Sequence, residues 1–141
     1  MSNATKMTSG YDANLPLTID SVDMFYTLNK TLKENIKQSV KMLFLTSPGE
    51  RIMVPEYGVG FRNFLFEQTP EEAIIERINA QVGTFLPNLT ILSLTVNRGD
   101  ILTESKSGQS NSLVVNFFYE INGTNIRDSA RFADDLIAWL K

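Results

Sequence analysis

The chain has 141 residues and a formal net charge of −3, a length that fits one domain around a single hydrophobic core. Its 43% of hydrophobic and 21% of charged residues are typical of a globular protein, and no apolar run approaches the roughly 20 residues that cross a bilayer. The acidic balance disfavours nucleic acid, and the absence of Cys and His removes thiolate and imidazole metal ligands, nucleophiles and general bases, so we expect no cofactor and no metal.

The first 30 residues are mostly polar, contain Pro16 and show no sustained helical period, which predicts an extended N-terminal arm over residues 1–30. Within it Met24, Tyr26 and Leu28 alternate, a spacing that predicts a short edge strand. No basic segment followed by an apolar one opens the chain, so we expect no cleaved secretory signal and a cytoplasmic origin. Residues 31–141 are expected to form a single domain.

A first helix is predicted over residues 31–45. Thr31 and Glu34 form a Thr-x-x-Glu capping box, and the apolar residues that follow share one helical face: Leu32, Ile36, Val40 and Leu43. Pro48 disfavours helical geometry in the residue before it, and Pro48-Gly49 fit the two central positions of a type II turn. The helix is therefore expected to end before this turn.

An irregular connector is expected over residues 50–67, because prolines and glycines interrupt it. It has room for a short extended piece at residues 52–54 and a helical turn around residues 61–66. A second helix is then predicted, with Thr69 as N-cap, Pro70 at the first helical position and Glu72 closing a capping box. Pro87 ends it, and its apolar face comprises Ile74, Ile78, Val82 and Phe85.

A meander of strands is predicted next. The first strand places Leu92, Leu94 and Val96 on one face, and residues 99–111 are expected to form an exposed, mobile hairpin loop. The longest strand is expected to present one apolar face, made of Leu113, Val115, Phe117, Tyr119 and Ile121.

Asn122-Gly123 suits a type I′ turn, which predicts a short return strand from Thr124 to about Arg127. A terminal helix is predicted from about Ser129, with apolar residues at helical spacing: Ala133, Leu136, Ile137 and Leu140. The predicted fold class is therefore α+β, with two helices packed on a small antiparallel β meander, an extended N-terminal arm and a C-terminal helix.

Carboxylates are the remaining candidates for catalysis. Glu50, Glu56 and Glu67 lie around the connector, and a glycosidase uses two carboxylates, one as acid and one as nucleophile or base. Such an enzyme also needs a cleft lined with aromatic platforms, and the chain has a single Trp. We therefore expect no enzyme activity. Arg51 beside Glu56 is open to two interpretations, an arginine that satisfies backbone carbonyls or a direct binding role, while Tyr57 and Phe61 are expected to fill the core of the connector.

The central stretch carries a compound motif: a helix ending in Thr, a Pro-Gly-Glu-Arg turn, a Pro-Glu-Tyr-Gly box and a Leu-Phe-Glu element. This motif resembles the baseplate wedge and sheath-initiator family of contractile-tailed phages, which is shared with a baseplate component of type VI secretion systems and includes members with a lysozyme-like name. The resemblance covers roughly residues 30–122. Its motif positions are Pro48, Gly49, Glu50, Arg51, Pro55, Glu56, Tyr57, Gly58, Phe66 and Glu67.

The resemblance implies a structural subunit of a virion tail baseplate, assembled in the host cytoplasm, that starts sheath polymerisation by offering a sheet edge to sheath arms. Implied partners are the tail sheath protein, other baseplate wedge subunits and tail tube or hub proteins. Two alternatives stay open: the equivalent component of a type VI secretion or related injection system, and a peptidoglycan muramidase. Where the family carries Glu-Pro-Arg to engage the wedge core bundle, this chain reads Leu86-Pro87-Asn88. The candidate partner-binding residues are therefore Leu86, Pro87 and Asn88, with Val115, Phe117 and Tyr119 on the long strand.

Overall fold

The structure is a computed structural model that describes residues 10–19, 21, 26–67, 69–98, 113–133 and 136–138. Within these ranges the helices are α1 (Leu32–Leu45), α2 (Asn63–Phe66) and α3 (Glu71–Phe85), and the strands are β1 (Asp12–Ala13), β2 (Leu28–Asn29), β3 (Leu89–Arg98), β4 (Leu113–Ile121), β5 (Ile126–Ala133) and β6 (Leu136–Ala138). The fold class is α+β with antiparallel sheets, as predicted. No described helix is long and apolar enough to span a bilayer.

The chain divides into two compact units, residues 1–40 and 41–141, and the division falls inside α1. The boundary between the arm and the domain at residues 30 and 31 stays a prediction of the sequence.

The first unit contains a β hairpin where the sequence predicted an extended arm. Strands β1 and β2 pair antiparallel, and Ile19 forms an isolated bridge with Tyr26, a residue of the predicted edge strand. The predicted strand residue Met24 lies outside the described residues. Gln38 on α1 holds the hairpin: its Oε1 accepts from the Leu15 N–H at 3.0 Å, and its Nε2 donates to the Ala13 carbonyl at 2.9 Å. The arm is therefore packed on its own unit.

Helix α1 begins with the predicted capping box. The Glu34 N–H donates to Thr31 Oγ1 at 3.2 Å, and the Thr31 N–H donates to Glu34 Oε2 at 3.3 Å. These two bonds satisfy backbone donors that the first turn of a helix leaves without partners. The predicted first helix is thus confirmed to within one residue.

The second unit is built on a four-stranded antiparallel sheet with strand order β3-β4-β5-β6. All five residues of the predicted apolar face of β4 are buried, from Leu113 to Ile121. Strand β4 lies between β3 and β5, so its two neighbours satisfy its backbone groups. Among the described strands, β3 and β6 form the two edges of the sheet.

A bulge in β3 changes which residues face the core. The register shifts between Ile91 and Ser93, so Leu92 has no residue opposite it on β4. Leu94 then pairs with Phe117, and Leu92 is 49% exposed. The predicted apolar face of Leu92, Leu94 and Val96 is therefore wrong at Leu92. The extra residue of the bulge shifts the alternation of the two strand faces, so Leu92 does not share the face of Leu94 and Val96. The loop predicted over residues 99–111 lies outside the described residues.

The predicted C-terminal helix is wrong: the chain forms β5 and β6 there. Strand β5 pairs with β4 over its whole length, from Ile121 opposite Ile126 to Val114 opposite Ala133. A long buried strand such as β4 requires hydrogen-bond partners on both sides, and that requirement overrides a helical spacing read from four residues. The predicted turn also differs, because residues 122–125 separate β4 from β5 in place of a two-residue turn. Leu140 lies outside the described residues.

Helix α3 buries the predicted face, with Ile74, Ile78 and Val82 inside. It begins one residue later than predicted: the N-cap is Pro70, which has no side-chain cap bond. The Thr69 hydroxyl donates to Glu67 Oε2 at 3.2 Å. The predicted capping box is therefore absent at this helix start, because Pro70 adopts the extended ψ of 147° that belongs to an N-cap.

Aromatic side chains form the core of the second unit. Phe44, in the last turn of α1, stacks on Phe132 of β5 at 4.3 Å between ring centroids and lies 5.3 Å from Phe117 of β4. Phe61 completes the group at 6.0 Å from Phe132 and is 1% exposed, as expected for a residue that fills the core. Ring pairs at these distances add to the energy of apolar burial.

Candidate functional site

The compound motif forms a loop over residues 47–58, called here the connector loop. It begins with a turn in which the Glu50 N–H donates to the Ser47 carbonyl at 3.1 Å. The Glu50 carboxylate in turn accepts from the Ser47 N–H at 2.9 Å. Gly49 has a φ of +85°, as the third position of the predicted type II turn requires. Pro48, Gly49 and Glu50 therefore build the turn.

A second set of backbone bonds closes the connector loop. The Gly49 N–H donates to the Pro55 carbonyl at 2.7 Å, and the Tyr57 N–H donates to the Val54 carbonyl at 3.1 Å. The residues at the tip, Ile52 and Met53, are 94% and 91% exposed. The predicted extended piece at residues 52–54 is a bend and not a strand. The loop therefore holds two adjacent apolar side chains in water.

The base of the connector loop stacks on the end of α3. The Arg51 guanidinium lies 3.9 Å from the centre of the Tyr57 ring, and that ring meets Phe85 edge-on at 4.9 Å. Burial raises the pKa of Tyr57, and the nearby Arg51 charge opposes part of that rise. Arg51 thus contacts an aromatic ring of its own loop, a contact that neither sequence-based interpretation included.

Gln81 ties the connector loop to α3 and was missed by the sequence reasoning. Its Nε2 donates to the Glu56 carbonyl at 2.9 Å, and its Oε1 accepts from the Gly58 N–H at 2.9 Å. Gln81 follows Ile74 by seven residues, so it lies near the apolar face of α3. A polar residue at that helical position was the available signal.

The chain after the connector loop caps the C-terminal end of α1. The Val59 and Phe61 N–H groups donate to the carbonyls of Leu43 and Phe44, at 2.9 and 3.1 Å. Neither carbonyl has a hydrogen-bond donor within the helix, so the N–H groups of Val59 and Phe61 supply one. Gly58, which precedes Val59, has a φ of +119° and lies close to Thr46. A Cβ added to Gly58 would lie 2.1 Å from the Thr46 carbonyl oxygen. A side chain is therefore excluded at this motif position.

The Leu-Phe-Glu element lies on the short helix α2 and the residue after it. Phe64 is buried at 4% exposure, whereas the motif residue Phe66 is 83% exposed. The Glu67 carboxylate accepts from the Thr69 hydroxyl, as described above. Phe66 is thus an outward-facing apolar residue of the motif.

The three carboxylates that were considered as catalysts lack the environment that glycoside hydrolysis requires. Glu50, Glu56 and Glu67 are all exposed, and Glu50 and Glu67 each accept a hydrogen bond from a near neighbour in the chain. A muramidase needs one carboxyl shielded in an apolar pocket so that it can act as an acid. Within the described ranges, no three His, Cys, Asp or Glu residues are grouped closely enough to hold a metal ion.

The corner between α3 and β3, residues 86–88, holds the first three candidate partner-binding residues. Pro87 and Asn88 are exposed and Leu86 is half-buried. Asn122, which the sequence assigned only to a turn, fixes the corner. Its N–H donates to the Asn88 carbonyl at 2.9 Å, and its side-chain amide donates to the Pro87 carbonyl at 3.4 Å. The corner follows Phe85 directly, so it adjoins the stack that supports the connector loop.

The three candidates on the long strand require a correction. Val115, Phe117 and Tyr119 are each 0% exposed, and β4 is an interior strand of the sheet. Burial also raises the pKa of Tyr119 well above its usual range, with Asp128 adding to the rise. These side chains form the core and cannot contact a partner while the domain is folded.

A comparison with known protein families finds one match. Residues 30–125 match the family model described as baseplate wedge protein gp25. No curated protein matches the chain.

Two solved structures share the fold. A Geobacter sulfurreducens protein provisionally named a tail lysozyme, with a crystal structure at 1.44 Å resolution, is 22% identical with a TM-score of 0.57 over 82% of this chain and 96% of that chain. A chain of the cryo-EM structure of the anti-feeding prophage baseplate is 24% identical with a TM-score of 0.59, over 78% of this chain and 83% of that chain. Likeness at this level of identity shows a common fold.

Proposed function

The chain belongs to the family of the baseplate wedge protein gp25, and from that premise we propose that it starts tail sheath polymerisation on a contractile baseplate. Membership makes the chain a structural baseplate component of a phage-like tail. The proposal adds the step that it performs there, which is to offer a sheet edge to the first ring of sheath subunits.

The observation that carries the proposal is the free edge of β3. This strand runs from Leu89 to Arg98 and pairs with β4 on one side only among the described strands. An extended arm of a sheath subunit adds to such an edge by main-chain hydrogen bonds, while alternate side chains set its register. The opposite edge, β6, has three residues, so β3 offers the longer template.

A second surface, formed by the connector loop and the corner, fits the other wedge subunits. The exposed Ile52 and Met53 lie at the loop tip, and the exposed Pro87 and Asn88 lie at the corner. Both are held by side chains of the same domain, Gln81 and Asn122. Contacts that are fixed before binding lose little conformational entropy on association.

Reconstitution of baseplates that lack the subunit tests the sheath step. The edge variant carries Ser93→Lys with Asn97→Lys, because lysine on an edge strand opposes the addition of another strand. The control carries Asn79→Lys with Ala80→Lys, which adds the same charge on exposed positions of α3. We expect both proteins to join baseplates and only the edge variant to give fewer sheathed tails by electron microscopy. Equal numbers of sheathed tails would refute the role of β3.

A related injection machine is the second candidate setting, favoured by the likeness to the anti-feeding prophage baseplate. A muramidase role is opposed by the exposure of Glu50, Glu56 and Glu67. We expect the purified protein to release no peptidoglycan fragments above a buffer blank. Lysis that disappears in a folded Glu50→Gln or Glu56→Gln variant would overturn the structural interpretation.

A further inference from the structure

The turn between β4 and β5 contains the single Asn-Gly pair of the 141-residue sequence, Asn122-Gly123. An asparagine before a glycine is chemically labile, because no side chain shields the glycine nitrogen from the asparagine amide carbon. A Cβ added to Gly123 would have no atom within 4 Å, and no described backbone carbonyl accepts a hydrogen bond from the Gly123 N–H. Asn122 is itself exposed, so water reaches both residues.

The side chain of Asn122 is nevertheless held at both ends of its amide. Its Oδ1 accepts from the Thr90 hydroxyl at 2.6 Å, and its Nδ2 donates to the Pro87 carbonyl at 3.4 Å. Thr90 lies on β3, and Pro87 belongs to the corner that precedes this strand. Cyclisation requires the amide carbon to rotate onto the Gly123 nitrogen, and both hydrogen bonds oppose that rotation. The fold therefore restrains a reactive side chain.

We propose that Asn122 is a deamidation site, and that its bonds to Thr90 and Pro87 slow the reaction while the subunit is folded. In the reaction the Gly123 nitrogen bonds to Cγ of Asn122 and loses its proton to water. The bond between Cγ and Nδ2 then breaks, and Nδ2 takes up a proton and leaves as ammonia. Water opens the resulting cyclic imide at either carbonyl, which gives aspartate or isoaspartate.

Deamidation releases the corner that Asn122 fixes. A carboxylate has no N–H that could donate to the Pro87 carbonyl, and isoaspartate also adds a carbon atom to the main chain of the turn. The corner is part of the surface assigned above to contacts with other wedge subunits, so a subunit that waits long before assembly loses the shape of this surface. This consequence rests on the proposed function, whereas the chemistry at Asn122 does not.

The chemistry is tested on the purified full chain, by peptide mass spectrometry during storage in mildly alkaline buffer. Thr90→Val removes the hydroxyl and keeps the shape of the side chain. Thr95→Val is the matched control on the same strand, because Thr95 Oγ1 accepts from the Asn116 side chain. We expect Thr90→Val to deamidate Asn122 about fivefold faster than wild type, as the loss of one hydrogen bond allows. The control should stay within about twofold of wild type.

The unfolded wild-type chain gives a second measurement that needs no variant. In guanidinium chloride the bonds to Thr90 and Pro87 are lost, so Asn122 should deamidate about tenfold faster than in the folded chain. Asn116 precedes a phenylalanine and should stay intact in both states. An equal rate in the two states, an intact Asn122 in the unfolded chain, or an equal rate in Thr90→Val would each overturn the proposal. A slower rate in Thr90→Val would overturn it too, because the hydroxyl would then assist the attack.

The effect on the corner is measured with Asn122→Asp, which carries the carboxylate of one product from the start. The Leu89 N–H donates to the Leu86 carbonyl at 3.1 Å within the corner, and we expect its hydrogen exchange to become about fivefold faster. The variant should also join baseplates that lack the subunit less well than Asn116→Asp, which adds the same charge elsewhere on the sheet. Unchanged exchange at Leu89, or equal joining of the two variants, would overturn the release of the corner. Failure of the wild-type protein to join baseplates would overturn the proposed function and leave the chemistry at Asn122 standing.

Discussion

Gly58 gives the sharpest test of how the connector is built. In a Gly58→Ala variant the φ of +119° is unfavourable for a residue with a side chain, at a cost of about 1–3 kcal/mol. The new Cβ would also lie 2.1 Å from the Thr46 carbonyl oxygen. The backbone must move, which weakens the bonds from the Gly58 N–H to Gln81 and from the Gly60 N–H to Thr46. With about 1 kcal/mol for each bond, the total loss is about 3–5 kcal/mol.

Gly49→Ala is the matched control, because Gly49 also has a positive φ, +85°, but an added Cβ there has no atom within 4 Å. It should cost about 1–2 kcal/mol from backbone strain alone. The two variants are compared by urea unfolding followed by far-UV circular dichroism, and thermal melts should show a fall of about 10–20 °C for Gly58→Ala. Equal losses of stability would refute the close approach of the connector to the end of α1.

Four further variants test other parts of the fold by urea unfolding. Phe132→Ala should lose about 3–5 kcal/mol, because its ring is buried between two aromatic neighbours; a loss below about 1 kcal/mol would place β5 outside the core. Gln81→Leu should lose about 1–3 kcal/mol by leaving the Gly58 N–H without its acceptor, and unchanged stability would contradict the tie to the connector loop. Thr31→Ala should lose about 0.5–2 kcal/mol with the capping box, and an equal loss in Glu34→Ala would show the two bonds act as a pair.

Elements with strong local signals were predictable from the sequence. The capping box at Thr31 located the start of α1, and five alternating apolar residues located β4, because both signals are local and agree with the final packing. The turn at Pro48-Gly49 was predictable for the same reason: few residues satisfy its backbone angles. The positions of the family motif could be read from the sequence, but the contacts that its residues make could not.

What the sequence did not predict depends on distant partners. The apolar spacing that begins at Ala133 is helical, and only the pairing of β5 with β4 and β6 overrides it. The bulge at Leu92 is likewise a property of two strands together. Gln38 and Gln81 act on backbone 25 residues away in the sequence. The position of Gln81 near the apolar face of α3 was a signal, but only the folded chain shows which backbone groups it bonds. Glu50 was weighed as a catalyst because its part in closing a turn is visible only in three dimensions.

The bulge in β3 also limits the risk that accompanies any open sheet edge. Before assembly, subunits with a long, flat sheet edge would pair edge to edge and form aggregates. Because the bulge interrupts the ladder at Leu92, the regular edge is only Ser93–Arg98, about 20 Å of strand. A visiting strand that is to continue further must carry a matching irregularity, which few chance partners have. Deletion of Leu92 would straighten the edge, and light scattering of the purified subunit would then report faster self-association.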